Sequence, residues 1–387
     1  MADVCYVTKT WRSGAAWVAQ QTVQAIADQG IRISFIAPAS EPASREPASS
    51  NLTRIVLPRE DVRAVGRVQR IAASLSRVIG GLVAVLRERR HTRTFIFAIP
   101  DPLVFTIPLF ILLRLSGAKI IFVVHDVMPH AWKFSGFMRR VEQRSHLLSY
   151  ALSNRLVVLS RSLSLKLIDQ FGFDARKIVV IPHGPFEIGA VSSCPGDGRF
   201  FTFGTFRRNK SILETIEAVL LARRADPEVT LTLTGEAHAQ EPEYWQECLA
   251  AIGQCPEAFD LKEGFLPDSE LPAYVARIDA FILAYREFSS QSGVGILAAF
   301  SQRPVIGTGS GGLSELYDAG LCGVRVQEPV TAATIAAAIL AFRARPIAEW
   351  RTLASVAVES LSATISWQAI GASYCLVVAD VSGSNAG

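Results

Sequence analysis

Short runs of β-branched and aromatic residues alternate along the chain with longer stretches whose apolar side chains recur every three or four positions. The runs Ile31–Ile36, Thr94–Phe97, Lys119–Val124, Arg155–Leu159 and Ile178–Ile181 read as buried strands. Between them Ala15–Ala27, Val62–Arg90, Phe137–Ala151 and Leu163–Gln170 read as helices. Such alternation makes βαβ units, and these build a parallel sheet covered by helices. The pattern stops at Gly184–Gly198 (GPFEIGAVSSCPGDG), which has no period and is rich in Gly, Pro and Ser. It then resumes. Phe200–Phe203, Val229–Leu233, Ala280–Leu283 and Val305–Gly307 read as strands, and Lys210–Ala222, Glu241–Ala251, Ser292–Ser301 and Ala332–Ala344 as helices.

The expected fold is therefore α/β, with two doubly wound, Rossmann-like domains facing a cleft. The expected boundaries are an N-terminal domain over 1–185, a linker over 186–198, a C-terminal domain over 199–355 and terminal helices with a tail over 356–387. A chain of 387 residues fits this doubling, because a single core rarely grows past roughly 250–300 residues. In doubly wound domains ligands collect at the carboxyl ends of the strands. Ala39–Asn51 (ASEPASREPASSN) reads as a polar surface loop and Asp380–Gly387 as a frayed tail.

Composition narrows the class. Half the residues are hydrophobic and 19% are charged, which excludes disorder and coiled coil. The longest apolar stretch, Leu103–Leu113, ends at Arg114, short of the roughly 20 residues that cross a bilayer. The opening MADVCYVTKT has no apolar core of a signal peptide, so a cytosolic chain is expected. Cysteines at 5, 194, 248, 255, 322 and 375 form no CxxC pair, and neither a zinc site nor a disulfide framework is expected.

The net charge of +4 hides a polarity: residues 1–190 carry 25 Lys+Arg against 13 Asp+Glu, and the remainder is acidic. A basic half suits nucleic acid, an anionic membrane or a phosphorylated ligand. Nine arginines fall between Arg59 and Arg93 against three acids, while Val68, Ile71, Leu75, Val78, Leu82 and Leu86 recur at helical spacing. The plainer reading packs these apolar residues on a sheet with the arginines toward water. The sharper one docks the basic helix reversibly on an anionic leaflet.

Three segments carry candidate chemistry. In Phe201-Thr-Phe-Gly204-Thr-Phe-Arg207-Arg208-Asn-Lys210, a strand ends at Gly204 and cations crowd the turn before a helix. Cations beside the positive end of a helix make an anion site. In Ala284–Phe300 a strand runs into a polar turn, and Ser292-Gly293 opens a helix whose amides can approach a diphosphate. Read without ligand chemistry, Ser292 is an ordinary N-cap. In Arg303–Glu315 a short strand, the glycines Gly311 and Gly312 and the acid Glu315 follow in order.

These segments resemble the C-terminal domain of the family 4 glycosyltransferases of the GT-B fold. FGTFRRNKS is similar to that family's fG.iR.yKG, and SQSGVGILAAFSQRPVIGTGSGGLSEL to a bacterial surface-polysaccharide variant. Weaker likenesses lie at Gly14, at His125-Asp126 ending IIFVVHD, at Ile181-Pro-His-Gly184 and at Ser366-Trp367. The last resembles the start of a terminal helix that returns to the N-terminal domain. The resemblance implies a nucleotide diphosphate sugar as donor, with Arg207 and Lys210 on the leaving diphosphate. Gly204, Ser292, Gly293, Gly311, Gly312 and Glu315 fall to the nucleotide, and Gly14 and His125 to the sugar side. It also implies a lipid-linked oligosaccharide acceptor in exopolysaccharide biosynthesis; beside such an acceptor, the basic helix adds the expectation of peripheral contact with the inner face of the cell membrane. No cofactor, metal or nucleic acid is expected.

One departure stands out. The family's paired glutamates fall on Ser289 and Leu297, and Leu297 cannot accept a hydrogen bond from a ribose. Glu287, two residues ahead of Ser289, stays a candidate. Three other readings stay open: an inverting transferase of a neighbouring family, a nucleotide-sugar epimerase on the same fold, and a catalytically silent partner subunit.

Overall fold

The structure is a computed structural model. It describes residues 2–11, 13–40, 47–59, 66–100, 103–128, 136–186, 188–189, 192–286 and 288–383, with the side chains of 13, 67, 70 and 104 outside that description. The chain divides into two compact units, residues 1–184 with 365–387, and residues 185–364.

The first unit is built on seven strands: β1 (Val4–Val7), β2 (Ile33–Pro38), β3 (Leu52–Leu57), β4 (Thr94–Ala98), β5 (Lys119–Val124), β6 (Arg155–Val158) and β7 (Ile178–Val180). All pair in parallel, in the order β3-β2-β1-β4-β5-β6-β7. Strand order reverses between β1 and β4, the switch point where side chains from several loops can converge. Helices on both faces leave β1, β2 and β4 buried along their whole length, and their sequences are mostly apolar rather than alternating. The helices are α1 (Ser13–Asp28), α2 (Arg67–Glu88), α3 (Leu103–Leu115), α4 (Gly136–Leu152) and α5 (Arg161–Phe171). Ser160 caps α5 by accepting from the Leu163 amide, and Gly172 ends it at φ 69°.

The second unit has six parallel strands: β8 (Arg199–Phe203), β9 (Thr230–Gly235), β10 (Phe259–Glu263), β11 (Ala280–Leu283), β12 (Val305–Thr308) and β13 (Gly323–Val326). Their order is β10-β9-β8-β11-β12-β13, so its switch point lies between β8 and β11. Its helices are α6 (Ile212–Arg223), α7 (Pro242–Ile252), α8 (Leu271–Val275), α9 (Gly293–Phe300), α10 (Gly311–Asp318) and α11 (Ala332–Ala344). The fully buried Arg303 donates to the carbonyls of Ser192, Val275, Ser301 and Gln302. Buried Asp279 accepts from the amides of Gly196, Gly198 and Arg199. Both charges are thereby satisfied, and together they fasten the start of this unit beneath β8 and β11.

The chain then runs through α12 (Ile347–Ile365) to α13 (Trp367–Ser382). Two parallel α/β domains with a returning terminal helix are the fold expected from the sequence. Ser366 caps α13 through the Ala369 amide, and α13 packs along α1. A Cβ on Gly184 would lie 2.5 Å from the Trp367 ring, which also meets Trp17 edge-on at 5.4 Å. The two weak motifs Ile181–Gly184 and Ser366-Trp367 are thus one packing unit.

Two expectations are corrected. The supposed frayed tail is helical as far as Ser382, and Asp380 pairs with Arg155 at 2.7 Å. The second concerns α2, whose basic residues were expected to face water and whose apolar residues were expected to face the sheet. Arg77 instead is turned inward, 4% exposed, while Val68, Ile71, Leu75 and Leu86 face outward; Val78 is buried and Leu82 partly so. Arg89 bonds Ser116, and Arg87, Arg90 and Arg93 gather exposed at the helix end.

Candidate active site

In the second unit the loops leaving β8, β11 and β12 meet at one edge of the sheet. Gly204 follows β8 at φ 105°, a conformation glycine adopts without strain. Its amide donates to Thr234 at 2.9 Å, and a Cβ on Gly235 would lie 1.8 Å from the Gly204 oxygen. The ends of β8 and β9 therefore touch backbone to backbone. Lys210 folds back over this turn, with its Nζ 3.0 Å from where a Gly204 Cβ would stand.

Burial, with the Arg207 charge adding to it, pushes the Lys210 ammonium down from 10.5 to about 8. Arg207 is half-buried, with its Nε covered and without a hydrogen-bond partner among the described residues. Neither cation has a carboxylate partner among the described residues. Arg208, the third cation of the turn, is occupied elsewhere: it pairs with Glu247 at 3.0 Å and lies over the Tyr244 ring at 4.6 Å.

The loop after β11 is tied to this turn. The Arg286 amide donates to the Asn209 carbonyl at 2.7 Å, and its guanidinium pairs with Glu214 of α6 at 2.8 Å. Buried Tyr285 is hydrogen-bonded to Ser292 and lies in the field of Arg207. Burial outweighs both and raises its phenol to about 12. Ser292 caps α9, accepting from the Gly295 amide at 3.0 Å. The amides of Gly293 and Val294, heading the helix, have no acceptor within it. Gly311 and Gly312 are required by packing: a Cβ would lie 1.5 Å from the Phe288 oxygen at the first and 2.2 Å from the Ser290 oxygen at the second. Glu315 is half-buried further along α10. Leu297 is buried in α9, and Glu287 lies outside the described residues.

Several polar groups that the sequence did not single out join this edge. Asn209 Oδ1, Thr234 Oγ1, His238 Nδ1 and Thr308 Oγ1 are buried without a hydrogen-bond partner among the described residues. Such atoms cost about 1–3 kcal/mol each unless satisfied. They follow β8, end β9, follow β9 and end β12. With Arg207 Nε they line an edge suited to a polar, anionic ligand. Nothing in spacing marks them, because only the sheet brings them together.

In the first unit Gly14 is exposed in the first turn of α1. His125 follows β5 and lines a small cavity with Tyr6, Thr8, Ile99, His183 and Tyr374. Burial lowers the His125 pKa against the pull of Asp126. His183 donates from Nδ1 to the Gly184 carbonyl at 3.1 Å and is driven to about 4, burial again leading. Both imidazoles are thus neutral at pH 7. Ile99, just after β4, has φ 47°, a strained conformation for a β-branched residue and one that clusters at functional sites. Among the described residues no three His, Cys, Asp or Glu side chains group as a metal site.

Comparison with known proteins agrees with this architecture. Residues 12–184 match the model of Glycosyltransferase Family 4, and residues 197–344 that of Glycosyl transferases group 1. Among curated proteins none matches significantly. Anabaena HepE, solved with UDP and glucose, is similar at 17% identity and TM-score 0.69, over 98% of this chain and 100% of that one. Sucrose-phosphate synthase from Thermosynechococcus elongatus is similar at 16% and 0.71, over all of both chains. WaaG, a glycosyltransferase involved in lipopolysaccharide biosynthesis, is similar at 12% and 0.62, over 98% and 99%. With matching models over most of its length and this fold, the chain belongs to the family 4 glycosyltransferases of the GT-B fold.

Proposed function

We propose that the enzyme transfers a sugar from a nucleotide diphosphate donor to a lipid-linked oligosaccharide during synthesis of a bacterial surface polysaccharide, at the inner face of the membrane. The observation that carries the donor reading is the pair Arg207 and Lys210. Two cations without carboxylate partners among the described residues sit at a strand-to-helix turn, and burial holds one of them below its ordinary pKa. A diphosphate supplies the negative charge that this turn lacks. As the glycosidic bond breaks, charge grows on the leaving diphosphate, and preorganised cations stabilise it most at that moment. The amides heading α9 supply further donors to its oxygens. Gly204, Gly311, Gly312 and Glu315 are assigned to the nucleotide, with the glycines keeping backbone close to it. Neutral His125 is assigned to the transferred sugar, as a hydrogen-bonding or proton-moving group, and Gly14 to the same side. HepE, solved with UDP-glucose, supports a UDP-sugar as the first donor to try.

The acceptor reading rests on the likeness of SQSGVGILAAF to surface-polysaccharide transferases and on the basic N-terminal half. A lipid-linked acceptor places the enzyme beside an anionic leaflet, where each exposed Lys or Arg contributes about 1 kcal/mol. The test is transfer of radiolabelled sugar from UDP-, GDP- and dTDP-sugars to a membrane lipid extract. Label entering the lipid fraction with release of nucleoside diphosphate supports the proposal. Donor converted to another sugar nucleotide without acceptor indicates an epimerase instead.

A further inference from the structure

The outer faces of α2 and α3 are aliphatic. On α2, Val68 is 79% exposed and Ile79 59% exposed, and Ile71, Leu75, Val83 and Leu86 are exposed with them. These positions recur at three or four residues and run about 27 Å along the helix. Between residues 71 and 86 the sole charged residue is Arg77, and it is buried. A helix that meets water on its outer face has the reverse arrangement. On α3, Ile111 and Leu112 are exposed and Leu115 is 81% exposed, and no charge precedes Arg114.

The two helices are neighbours. Val78, Gly81 and Leu82 of α2 and Phe105, Thr106 and Leu109 of α3 line one groove. At their shared end the Arg89 Nε donates to Ser116 at 2.8 Å. Exposed Arg87, Arg90 and Arg114 surround that end. From Ile71 to Leu86 the surface is thus an uncharged ridge, with Arg87, Arg90 and Arg114 at one margin and, by sequence, Arg67 and Arg70 at the other end of α2.

We propose that this ridge inserts into the acyl layer of an anionic membrane, with α2 lying along the interface and Arg87, Arg90 and Arg114 meeting headgroup phosphates. This rests on the membrane reading above and adds that the contact is made by aliphatic insertion as well as by charge. The distribution of charge favours a bilayer as occupant, because a leaflet presents an apolar layer beneath an anionic plane and the ridge presents their complement. An exposed aliphatic surface of this extent is unusual on a protein that meets only water.

The experiment is co-sedimentation of the full chain with vesicles of phosphatidylcholine alone, or mixed with phosphatidylglycerol, at low and high salt. It compares the parent with Ile79→Glu/Val83→Glu and with Leu112→Ser/Leu115→Ser on α3, each checked by circular dichroism and thermal midpoint. The two variants load different helices, so a folding failure in one leaves the other to report. The parent should bind the mixed vesicles and keep part of that binding at high salt, since salt screens charge but not apolar burial. Each folded variant should bind about tenfold or more weakly, as a buried aliphatic side chain is worth a decade or more. Binding by folded variants equal to the parent's, abolished by salt, would overturn insertion and leave charge-only docking standing. No binding to any vesicle would overturn both readings. A concentration-dependent dimer that the variants disperse, without lipid binding, would assign the ridge to a second copy and overturn the proposal.

Discussion

Lys210→Met separates what the ammonium does for the fold from what it does for transfer. The substitution keeps the apolar stem and deletes the charge. A fall in pKa from 10.5 to about 8 corresponds to about 3 kcal/mol held against the charged form. Because Lys210 is only partly covered, solvent screening brings the expected gain on removing the charge to about 1–2 kcal/mol. For a unit of this size that is a rise of about 2–8 °C in the thermal midpoint of the ligand-free protein.

The sign with pH follows from the same shift. Between about 8 and 10.5 the unfolded chain holds a proton that the folded chain has released, so the parent gains stability as pH rises through that window. The variant's advantage should be full below pH 8 and fade toward 10.5. Transfer should move the other way: losing a donor to the leaving diphosphate lowers kcat by about 10²–10³. The parent's kcat/KM should decline as pH rises through about 8. Calorimetric scans across pH, with steady-state rates on the same preparations, read all of this. A folded variant with an unchanged midpoint at pH 7 and undiminished kcat would mean that the Lys210 charge neither costs the fold nor serves the leaving diphosphate.

Gly311→Ala places a Cβ 1.5 Å from the Phe288 oxygen at φ 60°, and should cost about 2–3 kcal/mol in urea unfolding. Trp367→Ala removes the ring that packs on Gly184 and Trp17, and should cost about 3–5 kcal/mol; a loss near zero would show that this contact does not hold α13 in place. His125→Ala should lower kcat by about 10²–10⁴ if the imidazole moves a proton, with little change in thermal midpoint. Buried His183 stays neutral down to about 4, whereas its unfolded counterpart protonates near 6.5. Stability should therefore fall as pH drops from 6.5 to 4, and His183→Gln should flatten that slope.

The parallel sheets were legible because strands covered on both faces are written as apolar runs, as in Ile120–Val124 and Ala280–Leu283. The helix α3 was legible only as an apolar stretch, since LVFTIPLFILLRL carries almost no polar positions to set a period. The turn Gly204–Lys210 and the Ser292 cap could be read locally, as cations or a hydroxyl between a strand and a helix. Thr234, His238 and Thr308 could not, because they come from two strand ends and a loop that only the strand order β9-β8-β11-β12 places on one edge. Gly311 and Gly312 look like a phosphate loop in sequence, yet their first duty is to let the loop after β11 approach. On α2 the spacing identified a helix and its apolar positions but not which of them face the sheet. Arg77 turned inward reverses the arrangement that charge alone suggests.

The central claim is that Arg207 and Lys210 hold a nucleotide's diphosphate. Isothermal titration of the full chain with UDP, GDP and dTDP, each beside its nucleoside monophosphate, tests it directly when repeated on Arg207→Gln and Lys210→Met. At least one diphosphate should bind the parent and outcompete its monophosphate, and either variant should weaken it by about tenfold or more, the loss of a charge-assisted hydrogen bond. Equal affinity of parent and folded variants for the diphosphate would contradict it.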